Sequence, residues 1–203
     1  QSIKTAEKTV FESQLNQFIT KTADGFEWTD RNGNGIRYDL KGVMTSYYDR
    51  NKVNVYLERD ANGYITQIKD HNHNTVLTYS WEPIPGATAL TNSQNQTFIP
   101  QRLIKLTDYT GRSVSYSWNA ANLLEKVTDV RGEVWTYTYD KGALTQLKDP
   151  EGRITQYNIL TSGKFISRMD ADGRGVSFNY NFDKDNALYY AAKKYSDGRI
   201  EET

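Results

Sequence analysis

The chain has 203 residues, enough for one or two ordinary domains, and its 25 basic and 25 acidic side chains cancel. Neutrality removes the electrostatic footprint of a nucleic-acid binder and gives no reason to expect an anionic membrane surface as partner. With no cysteine there is no disulfide framework, thiol nucleophile or thiolate metal site, and no apolar run approaches the length of a membrane span.

Fifteen Tyr and four Trp, set in short alternating runs with Thr and Val, favour strands, while Asn, Asp and Gly fall between the runs as turns. The opening Gln1-Ser2-Ile3-Lys4-Thr5 is not the start of a signal peptide and reads as a piece of something longer. Residues 1–29 are the least regular. Phe11, Leu15, Phe18 and Ile19 fit a helical face, whereas residues 17–22, the Asp24-Gly25 turn and Phe26-Glu27-Trp28-Thr29 fit a hairpin. The hairpin is favoured, with a short helix before it left open, and the segment is expected to cap the first sheet edge.

From Asp30 the chain becomes metrical. Turn-forming residues fall at Asp30, Asp39, Asp49, Asp60 and Asp70, the spacing of one strand plus one turn. Two turn types alternate, one reversing the chain after an aromatic strand and the other reversing it back. Residues 81–100, with Trp81-Glu82-Pro83-Ile84-Pro85-Gly86 and an amide-rich stretch, break the metre and read as an inserted loop. The phrase Asp149-Pro150-Glu151-Gly152-Arg153 then has counterparts starting at Asp108, Asp129 and Asp170, in steps of 21, 20 and 21. Self-similarity at a fixed period predicts one continuous repeat domain, divided into a capping segment (1–29), hairpin repeats (30–80), the loop (81–100) and further hairpin repeats (101–203).

Two patterns inside the repeats make structural predictions. Counted from each turn-glycine position, residues two and five further on are apolar: Met44 and Tyr47, Ile65 and Ile68, Leu103 and Leu106, Leu124 and Val127, Leu144 and Leu147. The last repeat gives Phe165 but Arg168. An odd offset cannot keep both side chains on one face of a regular strand, so each such strand should carry a bulge or a strong local twist. Aromatic pairs two apart, Tyr116 and Trp118, Tyr137 and Tyr139, Phe178 and Tyr180, with Tyr157 and Ile159, should share a face and form a lateral aromatic ladder. The opposite face, with Thr136, Thr138, Gln156 and Asn158, should be wetter.

These residues resemble the YD repeats of the rearrangement-hotspot (Rhs) family. Tyr137-Thr138-Tyr139-Asp140-Lys141-Gly142-Ala143-Leu144, running into Asp149-Pro150-Glu151-Gly152-Arg153-Ile154-Thr155-Gln156-Tyr157, carries the family phrase, and the likeness extends over roughly residues 30–80 and 100–200. The resemblance implies an all-β architecture: antiparallel hairpin repeats in a curved, twisted, open sheet, part of a shell around a C-terminal toxin or effector in bacterial competition or virulence. It implies a secreted or cell-surface bacterial protein whose partners are further repeats and cargo of the same polypeptide, with secretion machinery or a cell-surface glycan as further candidates. The alternative is a glycan- or receptor-binding surface module. Lys52 and His73 stand where the family has a turn glycine, and Asn119-Ala120-Ala121-Asn122 lacks one too, which puts those individual turns in question. The family's C-terminal self-cleaving signature is missing, so the segment is expected to come from the early part of a shell.

No residue is expected to do chemistry, and no cofactor or metal is expected. Asp30-Arg31-Asn32-Gly33-Asn34-Gly35 matches the first half of a calcium loop, but Lys41 occupies the position of the bidentate carboxylate and Asn-Gly is a strong hairpin signal, so a turn is favoured. His71 and His73, the only histidines, cannot complete a zinc site without further His or Cys. Turn aspartates are hydrogen-bonded in the direction that keeps them ionised, the reverse of what a catalytic acid needs. Planar rings on a sheet face could stack on sugars, but burial against the sheet or neighbouring hairpins is favoured.

Overall fold

A computed structural model describes residues 2–5, 8–12, 17–91, 95, 97–159 and 165–202. They form strands, turns and bends without a helix. The chain falls into two compact units, residues 1–113 and 114–203.

In the first unit, antiparallel strands follow one another in chain order. β1 (Ser2–Thr5) pairs with β2 (Lys8–Glu12), which pairs with β3 (Phe18–Lys21), so the stretch open to a short helix continues the sheet as a strand. β3 and β4 (Gly25–Thr29) are the hairpin read from the sequence. β5 (Gly35–Asp39), β6 (Met44–Tyr48), β7 (Asn54–Arg59), β8 (Ile65–Lys69) and β9 (Thr75–Pro83) extend it by hairpins. The inserted loop carries a separate small ladder, β10 (Leu90–Thr91) with β11 (Thr97–Phe98), after which β12 (Gln101–Asp108) returns to pair with β9. Pairing is recovered because the ends of the insert are tied down. The Ile84 backbone N–H donates to the Pro100 carbonyl at 2.9 Å, and the Gln101 N–H donates to the Tyr64 hydroxyl oxygen at 2.9 Å. Tyr64 also packs on Trp81, at 5.0 Å between ring centroids, and on Phe98, while the Trp81 indole N–H donates to the Ile65 carbonyl. The loop positions 92–94 and 96 lie outside the described residues, as does Leu15.

The second unit repeats the scheme in β13 (Ser113–Trp118), β14 (Leu124–Thr128), β15 (Val134–Asp140), β16 (Ala143–Lys148), β17 (Ile154–Ile159), β18 (Phe165–Met169), β19 (Gly175–Asp183), β20 (Leu188–Tyr195) and β21 (Ile200–Glu202). Each strand from β13 to β20 pairs antiparallel with its successor.

The odd offset is absorbed where the sequence demands it. Arg37 faces Ser46 and Tyr38 faces Met44, leaving Thr45 as an extra residue. The same slip leaves Thr66, Ile104, Glu125, Thr145 and Ile166 unopposed in β8, β12, β14, β16 and β18. One extra residue in these strands returns the two positions to the same face and adds local twist, and in β12, β14 and β16 it sets them opposite an aromatic pair of β9, β13 or β15.

The ladder differs from the simple expectation. Tyr137 faces Leu147 and Tyr139 faces Leu144, while Tyr116 faces Val127 and Trp118 faces Leu124. Between β13 and β15, and between β15 and β17, a bulged strand intervenes, so aliphatic side chains separate the rings and the rungs there are aromatic–aliphatic pairs. In the last repeat the rung is Tyr157 against Arg168. Tyr116, Tyr137 and Tyr157 are half-buried, whereas Thr138, Gln156 and Asn158 on the opposite face are exposed; Thr136, expected to be wet as well, is half-buried.

Turns lacking glycine adopt the same left-handed backbone as those that have it: φ is +64° at Lys52, +62° at His73 and +58° at Asn122, against +79° to +90° at Gly33, Gly42, Gly63, Gly111 and Gly132. Side-chain contacts offset part of the strain. The Lys52 ammonium sits 4.1 Å from the Tyr48 ring centroid, and His73 stacks on Tyr56 at 4.2 Å. Between β15 and β16 the connection is a two-residue loop with positive φ at both Lys141 (+49°) and Gly142 (+84°). That geometry selects Asn-Gly, and Lys141 is exposed. Lys141→Asn is therefore expected to stabilise the protein by about 0.5–1 kcal/mol, as the left-handed conformation costs an ordinary side chain roughly that much or more; a urea midpoint shift at unchanged slope is the check.

Candidate functional site

The most regular construction in the molecule is its corner. At Asp60 the backbone N–H donates to the Tyr64 carbonyl and the Gly63 N–H returns to the Asp60 carbonyl, at 2.9 and 3.0 Å. The Asp60 carboxylate turns inward, and Oδ1 accepts from the backbone N–H of both Asn62 and Tyr64 at 2.9 Å. Asp30, Asp39, Asp49, Asp70, Asp108 and Asp129 repeat this double acceptance, and Asn119 does so with its amide oxygen, all at 2.8–3.0 Å. The four-residue period of the clamp is why one acidic or amide residue every ten positions suffices: its single oxygen satisfies two N–H groups that no strand can reach. Antiparallel alternation puts the corners of the first unit at opposite ends of its strands, Asp30, Asp49 and Asp70 at one end and Asp39 and Asp60 at the other.

Electrostatics follow from this geometry. The Asn34 carboxamide, bonded to Asp30 Oδ2 at 2.8 Å, holds the Asp30 carboxyl below its ordinary value against a partial desolvation that opposes it. The Asn74 backbone N–H does the same for Asp70, and the Thr110 hydroxyl, with Arg112, holds Asp108 at about 2. At Asp129 and Asp149 desolvation pushes upward, but the corner N–H groups and Arg131 or Arg153 outweigh it and the net direction is down. A general acid needs the opposite shift. These carboxylates are suited to hold backbone, not to deliver protons.

The other residues singled out in the sequence fall into the same corners. Both oxygens of Asp30 are engaged, and Asn34 Oδ1 accepts from the Arg50 N–H at 3.1 Å, so the calcium-like donors face their own backbone. Lys41 sits on the next corner, its N–H bonded to Asp39. His73 is the left-handed corner residue on Tyr56, and His71 lies exposed on the same corner.

What the molecule offers besides corners is a sheet face. In the first unit Ile19, Trp28, Ile36, Tyr47 and Val55 face one another strand by strand, as do Leu57, Ile68 and Leu77. A shallow apolar groove of about 610 Å³ runs along Trp28, Ile36, Met44, Tyr47, Val53 and Val55. Little covers this face. Among the described residues the buried hydrophobic is Tyr48, at 4% exposure, and the buried polar one Ser46, at 3%. Within the first unit, this apolar face is left partly exposed by the described residues, with Ile19, Tyr47 and Val53 more than 40% accessible. The rings expected to bury against the sheet or neighbouring hairpins are half-buried at Tyr116, Tyr137 and Tyr157.

Two places depart from the repeat. Arg168 stands in the apolar row, opposite Tyr157 and Val176, with its guanidinium 2.7 Å from Asp170 Oδ1. The β19–β20 hairpin keeps eight unbroken register pairs without a bulge, and on it Phe182 packs on Tyr189, which is 80% exposed. The even, unbulged spacing of Phe178, Tyr180 and Phe182 was the available signal for this longer ribbon.

A family model described as RHS Repeat matches residues 101–134 and 118–154. Outside that stretch, residues 30–74 carry the same clamp and the same bulge. Over residues 101–154 the chain therefore carries Rhs repeats. Among solved structures, the chain is similar to parts of the crystal structure of TcdB2-TccC3-Cdc42 (11% identity, TM-score 0.41) and of TcdB2-TccC3 without its hypervariable C-terminal region (10% identity, TM-score 0.42). In each case 97% of this chain aligns with 14% of the other. The Photorhabdus luminescens Tc holotoxin pore aligns over 98% of this chain and 16% of its own, at 13% identity and a TM-score of 0.26. The chain thus spans a small fraction of the structures it matches. No curated protein matches it in sequence.

Proposed function

We propose that this Rhs-repeat segment is structural: a stretch of β-wall that, in the whole protein, encloses a C-terminal toxin or effector used in bacterial competition or virulence. The observation that carries the reading is the apolar sheet face of the first unit, where Ile19, Trp28, Ile36, Tyr47 and Val55 face one another and remain partly exposed. Such a face needs a cover that the described residues do not supply, and a passenger polypeptide of the same protein is a cover of the right chemistry. The clamped corners favour a barrier role, because they leave few free backbone groups along the rims. Chemistry by side chains is not part of the reading, and neither is a cofactor or metal. The protein acts as a secreted or cell-surface bacterial component, with further repeats and cargo as its partners.

The test uses the full-length protein. A photo-crosslinking amino acid at Tyr137, on the apolar face, should capture the C-terminal passenger, whereas the same group at Thr138, on the opposite face, should not. Equal capture from both positions, or none from Tyr137, overturns the enclosure. A second reading, a glycan- or receptor-binding module, is favoured by one feature, the exposed rings of Tyr180, Phe182 and Tyr189 on the long hairpin. Titration calorimetry against bacterial polysaccharides separates the two, since the wall predicts no heat of binding.

A further inference from the structure

Three Asn-Gly steps occur, Asn32-Gly33, Asn34-Gly35 and Asn62-Gly63. The chemistry latent in such a step is intramolecular: glycine carries no Cβ, so its amide nitrogen can approach the preceding carboxamide. The structure treats the three differently. Asn34 is held at both ends, Nδ2 donating to Asp30 Oδ2 at 2.8 Å and Oδ1 accepting from Arg50 at 3.1 Å. Gly35 beside it is buried under the Tyr48 ring. Asn32 lies on the same corner, its side chain directed to the Asp30 carboxylate. Asn62 is exposed, its carboxamide makes no hydrogen bond among the described residues, and the space beside Gly63 is open to 4 Å.

We propose that Asn62 is a site of spontaneous deamidation in the folded protein, and that Asn34 is locked against it. The Gly63 nitrogen, its proton passed to hydroxide, attacks Asn62 Cγ, and the tetrahedral adduct expels ammonia to leave a five-membered succinimide. Water then adds at one of its two carbonyls and opens the ring to aspartate or isoaspartate. The net change is amide plus water to carboxylate plus ammonium, with nothing oxidised or reduced.

The corner governs the rate. Gly63 N–H is the donor to the Asp60 carbonyl at 3.0 Å, and Asp60 Oδ1 pins the N–H groups on either side of it. Attack must wait for that clamp to loosen. Isoaspartate then inserts a methylene into the main chain between the Asn62 and Gly63 nitrogens, so one carboxylate can no longer reach both pinned N–H groups. Aspartate places a second negative charge two residues from Asp60. Either product weakens this corner, making Asn62 an ageing point in the first unit.

The experiment is peptide mapping of the full chain held in mildly alkaline buffer, with electron-transfer fragmentation to distinguish isoaspartate. Conversion at Asn62 should outrun Asn34 several-fold in the folded protein, and the two should converge in urea. Asp60→Ala should raise the Asn62 rate several-fold and leave Asn34 unchanged, while Asp60→Asn, which keeps the acceptor oxygen, should restore the parent rate. Asn34 doubles as an internal reporter: if Asp60→Ala unfolds the sheet, Asn34 accelerates too, and the parent comparison in buffer and urea decides. Equal rates at Asn62 and Asn34 in the folded parent, or no response of Asn62 in a folded Asp60→Ala protein, overturns the assignment.

Discussion

Gly35→Ala is expected to destabilise the protein by about 2–4 kcal/mol, the range of a large disruption at a buried aromatic. A Cβ at position 35 would lie 2.2 Å from Tyr48 Cζ and 2.3 Å from its hydroxyl oxygen, so the ring must leave. Its present place is tightly determined. Tyr48 is flanked by the Arg37 guanidinium at 4.8 Å and the Lys52 ammonium at 4.1 Å, and its hydroxyl donates to Glu27 Oε1 at 3.0 Å. Burial is the main reason its hydroxyl pKa is raised, with the Glu27 bond adding to it. Displacement forfeits apolar burial of about 1.5–3 kcal/mol, a charged hydrogen bond and two cation–π contacts, terms that overlap and do not simply add. A double-mutant cycle isolates the contact. In a Tyr48→Ala background, Gly35→Ala should be near neutral or slightly stabilising, because the space is vacant and alanine suits a strand better than glycine by about 0.5–1 kcal/mol. An equal cost in both backgrounds would show that the backbone, not the ring, demands glycine.

That contact also marks where the sequence stops being informative. The corners were legible because their cause is local: an Asp or Asn and the N–H groups two and four residues on. The doubt over Lys52, His73 and Asn122 arose from reading the left-handed residue alone, whereas the clamp and the closing hydrogen bonds at Asp49, Asp70 and Asn119 impose its conformation. The bulges were legible because an odd apolar offset is arithmetic on the strand period. The rungs were half legible. Spacing put each Tyr pair on one face, but which residue lies opposite depends on the neighbouring strand's register after its bulge, and that brings in Leu144 and Leu147 rather than another ring. Tyr48 over Gly35 was invisible, being a cross-strand pair between residues whose types suggest nothing about each other. The incomplete burial was invisible too, since alternation shows which face is apolar and not whether anything covers it.

Acid should unfold the protein over a window set by its corners, with little loss of stability down to about pH 4 and a progressive loss as pH falls from there toward about 2. The sign follows from the lowered carboxyls. Asp108 sits at about 2 in the folded chain, and Asp30, Asp70, Asp129 and Asp149 are also below their ordinary value, while an unfolded aspartate titrates near about 3.9. Between those limits the unfolded chain binds more protons, so stability falls as pH falls through the folded values. Part of the lowering at Asp108 and Asp149 comes from the exposed Arg112 and Arg153 pairs, which salt screens, and part from the backbone N–H groups bonded to each carboxylate. The chain contains its own control in the Asn119 corner, where an amide oxygen accepts from Ala121 and Leu123 at 3.0 Å and nothing titrates. Asp108→Asn should accordingly keep the corner near neutral pH yet make the dependence of stability on pH below about 4 shallower by one proton. Asp108→Ala should weaken the corner at every pH, because the N–H groups of Thr110 and Arg112 lose their acceptor. Urea midpoints measured across the acid range read both outcomes. Losses beginning well above pH 5, or an Asp108→Asn slope equal to the parent's, would mean that acid acts elsewhere than on the clamps.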